Sequence, residues 1–244
     1  MSNTDRRISL ITGANKGIGL EIARQLGKAG HRILLGARDT GRGQQAAKTL
    51  SDEGIDVRFV SLDLGNPASI KAAAADIEAN EGRLDVLVNN AGVAVQGDGN
   101  TSTATMDAVR TTFETNFFGT VEVTQALLPL VKKSASGRIV NISSGLGSIA
   151  LNADPTWDYA AVKLIGYNAS KAALNMFTVI LADELKDTGI KVNVVNPGYT
   201  ATDLNGNSGH QTVAEGAQEA VRVALLPDDG PTGAFTSKEG PDPW

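Results

Sequence analysis

The sequence predicts an α/β fold, a single doubly wound parallel sheet of about seven strands with helices on both faces. Two observations predict it. Short apolar runs alternate with longer segments of helical periodicity, and several of these runs are continuously apolar, as in strands buried on both faces. Such strand–helix–strand units wind right-handedly into one sheet. The strands are predicted at residues 8–12, 32–35, 57–62, 86–89, 138–142, 191–195 and 232–236, and the helices at 17–29, 44–53, 68–80, 104–131, 159–186 and 212–225.

The composition limits the classes of protein that this chain can form. With 244 residues, 41% of them hydrophobic, and no linker-like segment, residues 1–244 are expected to form one domain. The absence of cysteine excludes disulfides, thiolate metal sites and cysteine nucleophiles. The only two histidines, His31 and His210, lack ligand spacing, so no metal site is expected. A net charge of −5 argues against nucleic acid and anionic membranes as partners.

We find no targeting segment in the sequence that would place the protein outside the cytoplasm. Residues 1–9 contain no apolar segment typical of a secretory signal. No apolar run approaches the roughly 18 residues that a membrane-spanning helix needs. We therefore expect a cytoplasmic protein that is not membrane-bound.

Three predicted loops are longer than usual, at residues 92–103, 143–158 and 197–210. Each follows a predicted strand, so all three gather at the carboxyl edge of the sheet. Ligands of open α/β sheets bind at this edge. The sequence therefore predicts a ligand site there.

The first strand leads into a glycine-rich turn, Thr12-Gly13-Ala14-Asn15-Lys16-Gly17-Ile18-Gly19, which opens a helix. Its spacing differs from the general dinucleotide fingerprint, but it can serve the same purpose. Glycines allow the backbone to approach a pyrophosphate closely, and the helix N-terminus offers free N–H groups. An ordinary βα turn is the alternative interpretation.

The end of the second predicted strand distinguishes the two nicotinamide cofactors. NAD sites usually place an acid there to bind the ribose 2′-hydroxyl. Here Arg38 stands at that point, and Lys16 lies within the glycine turn. Two cations favour a 2′-phosphate, and therefore NADP(H), although the adjacent Asp39 is a competing signal for NAD.

Tyr167 and Lys171 stand four residues apart, which on a helix places a phenol and an ammonium on one face. The cation is expected to lower the pKa of Tyr167, so that the phenol can act as a general acid toward a carbonyl oxygen. Tyr159 and Lys163 repeat the same spacing. From the spacing alone, either pair can be the functional one.

Taken together, these motifs resemble the short-chain dehydrogenase/reductase family over essentially the whole chain, and within it the NADPH-dependent carbonyl reductases. The resemblance implies a Rossmann-type fold. The matching elements are the glycine turn, Leu62-Asp63-Leu64, Asn89-Asn90-Ala91-Gly92, Asn116 within Glu-Thr-Asn-Phe-Phe-Gly, Ser143-Ser144, Tyr167-x-x-x-Lys171, Asn196-Pro197-Gly198 and the ending Gly-Pro-Asp-Pro-Trp.

The resemblance also assigns roles. Pro197-Gly198 follows Lys171 at the usual distance but lies too far from Lys163, which favours Tyr167 as the acid. The second serine is the usual catalytic one, which favours Ser144 over Ser143.

The resemblance implies that the cofactor provides the hydride, while Tyr167 protonates the oxygen and Ser144 binds it. Lys171 lowers the tyrosine pKa and holds the nicotinamide ribose. Asn116 holds a water that connects Lys171 to solvent, unless it is only a buried helical amide. Asp63 contacts the adenine or merely closes a turn. The implied cofactor contacts are Gly13, Asn15, Lys16, Gly17, Ile18, Gly19, Arg38, Asp63, Leu64, Asn90, Ala91, Gly92, Tyr167, Lys171, Pro197, Gly198, Thr200 and Thr202.

The chain departs from the family pattern between Ser144 and Tyr167, where residues 147–158 are extra. They resemble a shortened form of the longer insertion of monomeric carbonyl reductases. This segment is expected to overhang the substrate cleft, and it leaves open whether the protein is a monomer or a homo-oligomer. Trp157 either anchors the segment or forms a wall for the substrate.

The predicted function is NADPH-dependent reduction of a small-molecule ketone or aldehyde to an alcohol. A 3-oxoacyl-type or steroid-type reductase of the same family is an alternative within the enzyme class. A non-catalytic NADP(H)-binding redox sensor is an alternative outside it, but a sensor has no need for Asn116, Ser144, Tyr167 and Lys171 together.

Overall fold

The computed structural model describes residues 6–244, and its eight strands form one sheet. Residues 1–5, part of the segment predicted to carry no secretory signal, lie outside the described residues. The strands are β1 (Ile8–Ile11), β2 (Arg32–Ala37), β3 (Val57–Ser61), β4 (Val86–Asn89), β5 (Arg138–Ile142), β6 (Lys191–Val195), β7 (Phe235–Ser237) and β8 (Gly240–Pro241).

The strand order is β3-β2-β1-β4-β5-β6-β7-β8, and β1 to β7 run parallel. The predicted doubly wound sheet is confirmed. Two details differ: the seventh strand lies at Phe235–Ser237, and the short antiparallel β8 was not predicted. The chain moves outward from β1 to β3 and then crosses back to β4, on the other side of β1. A crevice for a ligand forms at the carboxyl ends of the strands beside such a reversal.

Helices cover both faces of the sheet, with several departures from the predicted segments. The second helix begins at Thr40 rather than at residue 44, and a short helix at Ile149–Ala153 lies within a predicted loop. The long segment 104–131 is divided by a π-helical turn at Glu114–Phe118, and the segment predicted from residue 159 becomes helical only at Ile165. Among residues 6–244, no helix is both long and apolar enough to cross a membrane. The helices are α1 (Gly17–Lys28), α2 (Thr40–Asp52), α3 (Pro67–Glu81), α4 (Met106–Phe113), α5 (Gly119–Val131), α6 (Ile149–Ala153), α7 (Ile165–Glu184) and α8 (Val213–Ala224).

The core consists of two apolar layers, one on each face of the sheet. Alternate residues of the central strands serve opposite layers: Leu10 and Leu87 pack against α3, α5 and α7. Ile11 and Val88 pack against α1, α2 and α8. This two-sided burial explains why the strands read as continuous apolar runs. The three long loops follow β4, β5 and β6 and therefore lie at the same carboxyl edge.

His31 lies at the opposite edge, just before β2, and is only 6% exposed. Its Nδ1 lies 2.7 Å from Ser9 Oγ. Burial, assisted by the nearby Arg7 guanidinium, lowers the pKa of His31 to about 4. An unfolded histidine titrates near pH 6.5, so below that pH the unfolded chain takes up a proton that the folded chain excludes. At pH 5 we expect this group to reduce the free energy of unfolding by about 2 kcal/mol relative to pH 7.5.

Urea unfolding at both pH values tests this expectation. The His31→Gln variant cannot titrate at this position, whereas all other groups remain as they are. The loss of stability between pH 7.5 and pH 5 should therefore be about 2 kcal/mol smaller in the variant. Equal losses in both proteins would show that His31 titrates normally in the folded state.

Candidate active site

The turn between β1 and α1 depends on glycine at several positions. Gly13 and Gly17 have φ angles of +63° and +57°, in the left-handed region that side chains disfavour. A Cβ at Gly19 would lie 2.3 Å from Asn90 Nδ2, so α1 can begin against the loop after β4 only with glycine there. The side chain of Lys16, the residue before α1, makes no capping hydrogen bond. The first N–H groups of α1 therefore suit an anionic ligand.

Asn90 braces this turn. Its Nδ2 donates to the carbonyl oxygens of Thr12 and Gly13, at 2.9 and 3.3 Å. In return, Thr12 Oγ1 accepts the N–H groups of Asn90 and Ala91, each at 3.0 Å. These hydrogen bonds fix the glycine turn to the loop after β4.

A cavity of about 740 Å³ opens from this turn along the carboxyl edge of the sheet. Its size falls in the range of ligand-binding clefts. It brings together most of the predicted site residues: Gly13, Asn15, Lys16, Gly17, Ile18, Gly19, Arg38, Asp63, Leu64, Asn90, Ala91, Gly92, Tyr167, Lys171, Pro197 and Thr202. The predicted residues Asn116, Ser144, Gly198 and Thr200 do not line it.

The cavity wall at and near the glycine turn carries three cations. Arg38 is exposed at the end of β2, and it has no carboxylate partner within 4.0 Å among residues 6–244. Lys16 instead pairs with Asp203 at 2.7 Å, where both side chains remain exposed. Arg42 was not predicted, because only the folding of α2 brings its side chain to this wall.

Asp39, the competing signal for NAD, has a structural task. Its Oδ1 accepts the N–H of Arg42 at 2.9 Å and so caps the N-terminus of α2. Its Oδ2 lies 3.4 Å from Arg42 Nε. This engagement weakens the case for Asp39 as the acceptor of a ribose 2′-hydroxyl.

The opposite end of the cavity carries Tyr167 and Lys171, on the first two turns of α7. Lys171 Nζ lies 5.7 Å from the centroid of the Tyr167 ring and donates to the carbonyl oxygen of Ile142 at 2.8 Å. Burial lowers the pKa of Lys171 to about 8. Burial also raises the pKa of Tyr167 to about 12, although a hydrogen bond with Ser144 acts in the opposite direction.

The expected net lowering of the Tyr167 pKa is therefore wrong, because this pKa lies above the usual value of a tyrosine. Loss of hydration disfavours the phenolate more than the neighbouring groups favour it. At neutral pH the phenol keeps its proton, as a group that donates a proton must.

The structure distinguishes the two serines after β5. Ser143 is buried beneath α7, with its Oγ 3.5 Å from the carbonyl oxygen of Lys171. Ser144 is the serine near enough to the Tyr167 phenol to act on the pKa of the phenol, which it lowers against the larger effect of burial. Its Oγ accepts the N–H of Leu146 at 3.1 Å, which leaves the hydroxyl proton free to be donated. These contacts support Ser144 rather than Ser143.

The second tyrosine–lysine pair lies outside any helix, in the turns before α7. Lys163 Nζ donates to the carbonyl oxygen of Asn152 at 3.1 Å. The Tyr159 ring packs edge-on against Trp157 and Tyr199, with centroids 5.5 and 5.6 Å away. The spacing of this pair thus has no functional counterpart in the geometry.

Asn116 lies in the π-helical turn, one layer behind the cavity. Its Oδ1 accepts the N–H of Val93 at 2.8 Å, and its Nδ2 donates to Val93 O and to Ser170 Oγ, at 2.9 and 3.1 Å. The side chain thus joins the loop after β4 to α7.

Two predicted contacts in the loop after β6 also lie behind the wall. Thr200 is buried, and its Oγ1 donates to Pro197 O at 3.1 Å, whereas Thr202 lines the cavity. Gly198 has a φ of +73°, and a Cβ there would lie 2.6 Å from Gln211 Nε2. Of the two threonines, the geometry therefore favours Thr202 as a ligand contact.

Sequence comparison identifies the family to which this site belongs. The profile of the family described as short chain dehydrogenase matches residues 7–213. The chain belongs to this family of oxidoreductases. It is 35% identical to a carbonyl reductase (NADPH) of Mus musculus over 285 aligned positions, which cover 99% of this chain and all of the relative. It is 33% identical to salutaridine reductase of Papaver bracteatum, over 95% of this chain and 94% of the relative.

Solved structures of family members share the fold. The NADPH-bound carbonyl reductase from chicken fatty liver has a TM-score of 0.86 at 31% identity, covering 98% of this chain and 99% of that one. The alignment with the mouse enzyme is longer than this chain's 244 residues, so that enzyme has segments that this chain lacks.

The extra segment at residues 147–158 packs onto the loop that carries Ser144. It contains α6, whose Ala150 N–H donates to the carbonyl oxygen of Trp244 at 2.9 Å. Trp157 lies against Gly145, where a Cβ would be 3.0 Å from the indole Cζ2. None of its residues lines the cavity, so Trp157 acts as a packing anchor in this structure.

Proposed function

We propose that this short-chain dehydrogenase reduces ketone or aldehyde carbonyls to alcohols with NADPH, and that residues 1–244 act as one NADP(H)-binding domain. The observation that carries the proposal is the cavity itself. One end presents uncapped helix N–H groups and exposed cations, and the other presents a protonated phenol beside a buried ammonium. The NADPH-dependent relatives and the NADPH-bound neighbour support the choice of cofactor.

The residues fit this cofactor at both ends. A pyrophosphate suits the glycine turn, because the side chain of Lys16 makes no capping hydrogen bond to the first N–H groups of α1. Arg38 offers a planar guanidinium fork to a 2′-phosphate, and Arg42 adds a second guanidinium on the same wall. Asp63, Asn90 and Thr202 line the cavity between the two ends.

When bound, NADPH supplies the reducing equivalent to the substrate's carbonyl carbon. Tyr167 donates its phenolic proton to the carbonyl oxygen as negative charge develops there. Ser144 donates its hydroxyl proton in a hydrogen bond to the same oxygen, while its own Oγ accepts the N–H of Leu146. The ammonium of Lys171 stabilises the phenolate that remains on Tyr167.

Asn116 is proposed to hold a water beside Lys171. Both of its amide protons are engaged, but its Oδ1 accepts only one described hydrogen bond. A Cβ built at Gly92 would lie 3.4 Å from both Asn116 Oδ1 and Lys171 Nζ, so the acceptor and the ammonium border the same point. This proximity supports a water-mediated path for the proton that Tyr167 must regain.

The proposed activity is tested by following the oxidation of NADPH and of NADH with a panel of ketones, aldehydes and quinones. We expect NADPH to be oxidised with at least one carbonyl compound and to be preferred over NADH. Binding of NADPH without turnover of any carbonyl compound would contradict the proposal and favour a cofactor-binding sensor.

Replacing Arg38 by alanine should raise the KM for NADPH by roughly tenfold or more, because a charge-assisted hydrogen bond to phosphate contributes about 1.5–3 kcal/mol. The KM for NADH should change less than twofold. Arg110→Ala is the matched control, since Arg110 is an exposed arginine on α4 away from the cavity. Equal effects of Arg38→Ala on the two cofactors would show that this arginine does not read the 2′-phosphate.

A further inference from the structure

The helix that carries Tyr167 begins without a cap of its own. α7 starts at Ile165, and the side chain of the preceding Leu164 makes no capping hydrogen bond. The first N–H groups of a helix have no partner within the helix and must find one elsewhere. Here the partners come from a distant loop.

That loop follows β4, and its Asp98 and Gly99 satisfy three successive N–H groups of α7. Gly99 O accepts the N–H of Ile165 at 2.9 Å. Asp98 Oδ1 accepts the N–H of Gly166, and Asp98 Oδ2 accepts the N–H of Tyr167, both at 2.9 Å. One carboxylate thus holds the main chain of the proposed acid and of the residue before it.

Gly166 is needed for this approach. A Cβ at Gly166 would lie 3.0 Å from Asp98 Oδ2 and 3.2 Å from Val109 Cα, so any side chain would push the carboxylate or α4 away. Asp98 and Gly166, which are far apart in sequence, are therefore both needed for the same contact. A carboxylate at this point also interacts favourably with the positive end of the α7 dipole.

The loop itself is held in place at its other side. Gly97 has a φ of +92°, and its carbonyl oxygen accepts the N–H of Thr105 at 2.9 Å. Thr105 in turn caps α4, with its Oγ1 accepting the N–H of Ala108 at 3.2 Å. Asp98 is therefore presented to α7 from a constrained turn.

We propose that Asp98 is a positioning residue of the reaction, which holds the Tyr167 main chain so that the phenol meets Ser144 and the substrate oxygen. The proposal rests on the proposed role of Tyr167 as the acid. A displacement of about 1 Å of a reacting group can cost up to a hundredfold in rate. Asp98 does not line the cavity, so its loss should affect turnover rather than cofactor binding.

The test measures kcat and the Kd of NADPH for Asp98→Ala and Asp98→Asn. We expect the alanine variant to lose about tenfold or more in kcat, with the Kd of NADPH unchanged within twofold. The asparagine variant has the same shape but only one acceptor oxygen, so its kcat should be intermediate. It also replaces the alanine variant should the latter fail to fold.

Asn66→Ala is the matched control for loss of a helix cap. Asn66 Oδ1 accepts the N–H groups of Ala68 and Ser69 at 3.0 and 3.3 Å at the start of α3, and Asn66 does not line the cavity. Its removal should lower thermal stability but leave kcat within twofold. A similar loss of kcat in both cap variants would overturn the proposal, because the effect would then be one of general stability.

The Asp98→Ala substitution made in the Tyr167→Phe variant distinguishes the proposed role of Asp98 from the proposed function. In single turnovers, Asp98→Ala should cause no further loss when the phenol is absent, because Asp98 acts through that group. An equal loss of rate from Asp98→Ala in both backgrounds would overturn the role of Asp98. A wild-type kcat of Asp98→Ala, with Tyr167→Phe inactive, would do the same, and both results would leave the proposed function intact. Full activity of Tyr167→Phe would instead overturn the proposed function.

Discussion

Replacing Tyr167 by phenylalanine should lower kcat/KM for carbonyl reduction by about a thousandfold, while the Kd of NADPH changes only a few-fold. A positioned general acid contributes typically a hundredfold to ten-thousandfold. The phenol is the group at the inner end of the cavity that holds its proton firmly, since burial raises its pKa to about 12. Phenylalanine keeps the ring and its packing but removes the transferable proton.

Tyr159→Phe is the matched control for this change. Tyr159 belongs to the same kind of sequence motif, but it lies in a turn and its ring packs against Trp157 and Tyr199. We expect its kcat/KM to remain within about twofold of the wild type. Steady-state rates of the two variants with one carbonyl substrate decide the assignment, and a reversed pattern would make Tyr159 the acid.

Replacing Lys171 by methionine should lower kcat/KM by about a hundredfold. Two unit charges about 6 Å apart interact by about 3 kcal/mol at an effective dielectric constant of 20. Lys171 Nζ lies 5.7 Å from the Tyr167 ring centroid, and we expect its ammonium to stabilise the negative charge left on the phenolate by an energy of this order. Methionine preserves the packing of the long side chain without the charge.

The same variant should also change the pH profile. Burial lowers the pKa of Lys171 to about 8, so the ammonium is present below that pH and is lost above it. The wild-type kcat/KM should therefore fall about tenfold per pH unit above 8 and level off after a loss of about a hundredfold, and Lys171→Met should lack this decline. Lys163→Met serves as the control and should keep the wild-type profile. If kcat/KM of Lys171→Met still falls above pH 8, the decline belongs to another group.

β1 to β6 could be predicted from the sequence because they are largely apolar runs between helical segments. β8 could not, since Gly240–Pro241 has no periodicity and forms only by pairing with β7. The π-helical turn at Glu114–Phe118 was missed because it shifts hydrogen bonds without interrupting the helical pattern of side chains. The start of α7 was placed too early because Leu164 offers no local capping signal, and its cap comes from Asp98.

The site likewise contains residues that the sequence predicts and residues that only the folded structure reveals. The glycine turn was predictable because Gly13 and Gly17 meet a local backbone requirement. Arg42 and Asp98 were not, because only the folded chain brings them to the cavity wall and to α7. The pKa of Tyr167 was predicted in the wrong direction, because spacing reveals a neighbouring charge but not the loss of hydration.

The most direct test of the proposed activity follows the atom that is transferred. NADPH that carries deuterium at nicotinamide C4 is incubated with the protein and a ketone that the protein reduces. The alcohol that forms is analysed by mass spectrometry. We predict one deuterium on the carbinol carbon in the wild-type reaction and about a thousandfold slower formation of the same product with Tyr167→Phe. An alcohol without deuterium, whichever face of nicotinamide C4 carries the label, would contradict direct reduction by the cofactor. An undiminished rate with Tyr167→Phe would contradict the role of Tyr167 as the acid.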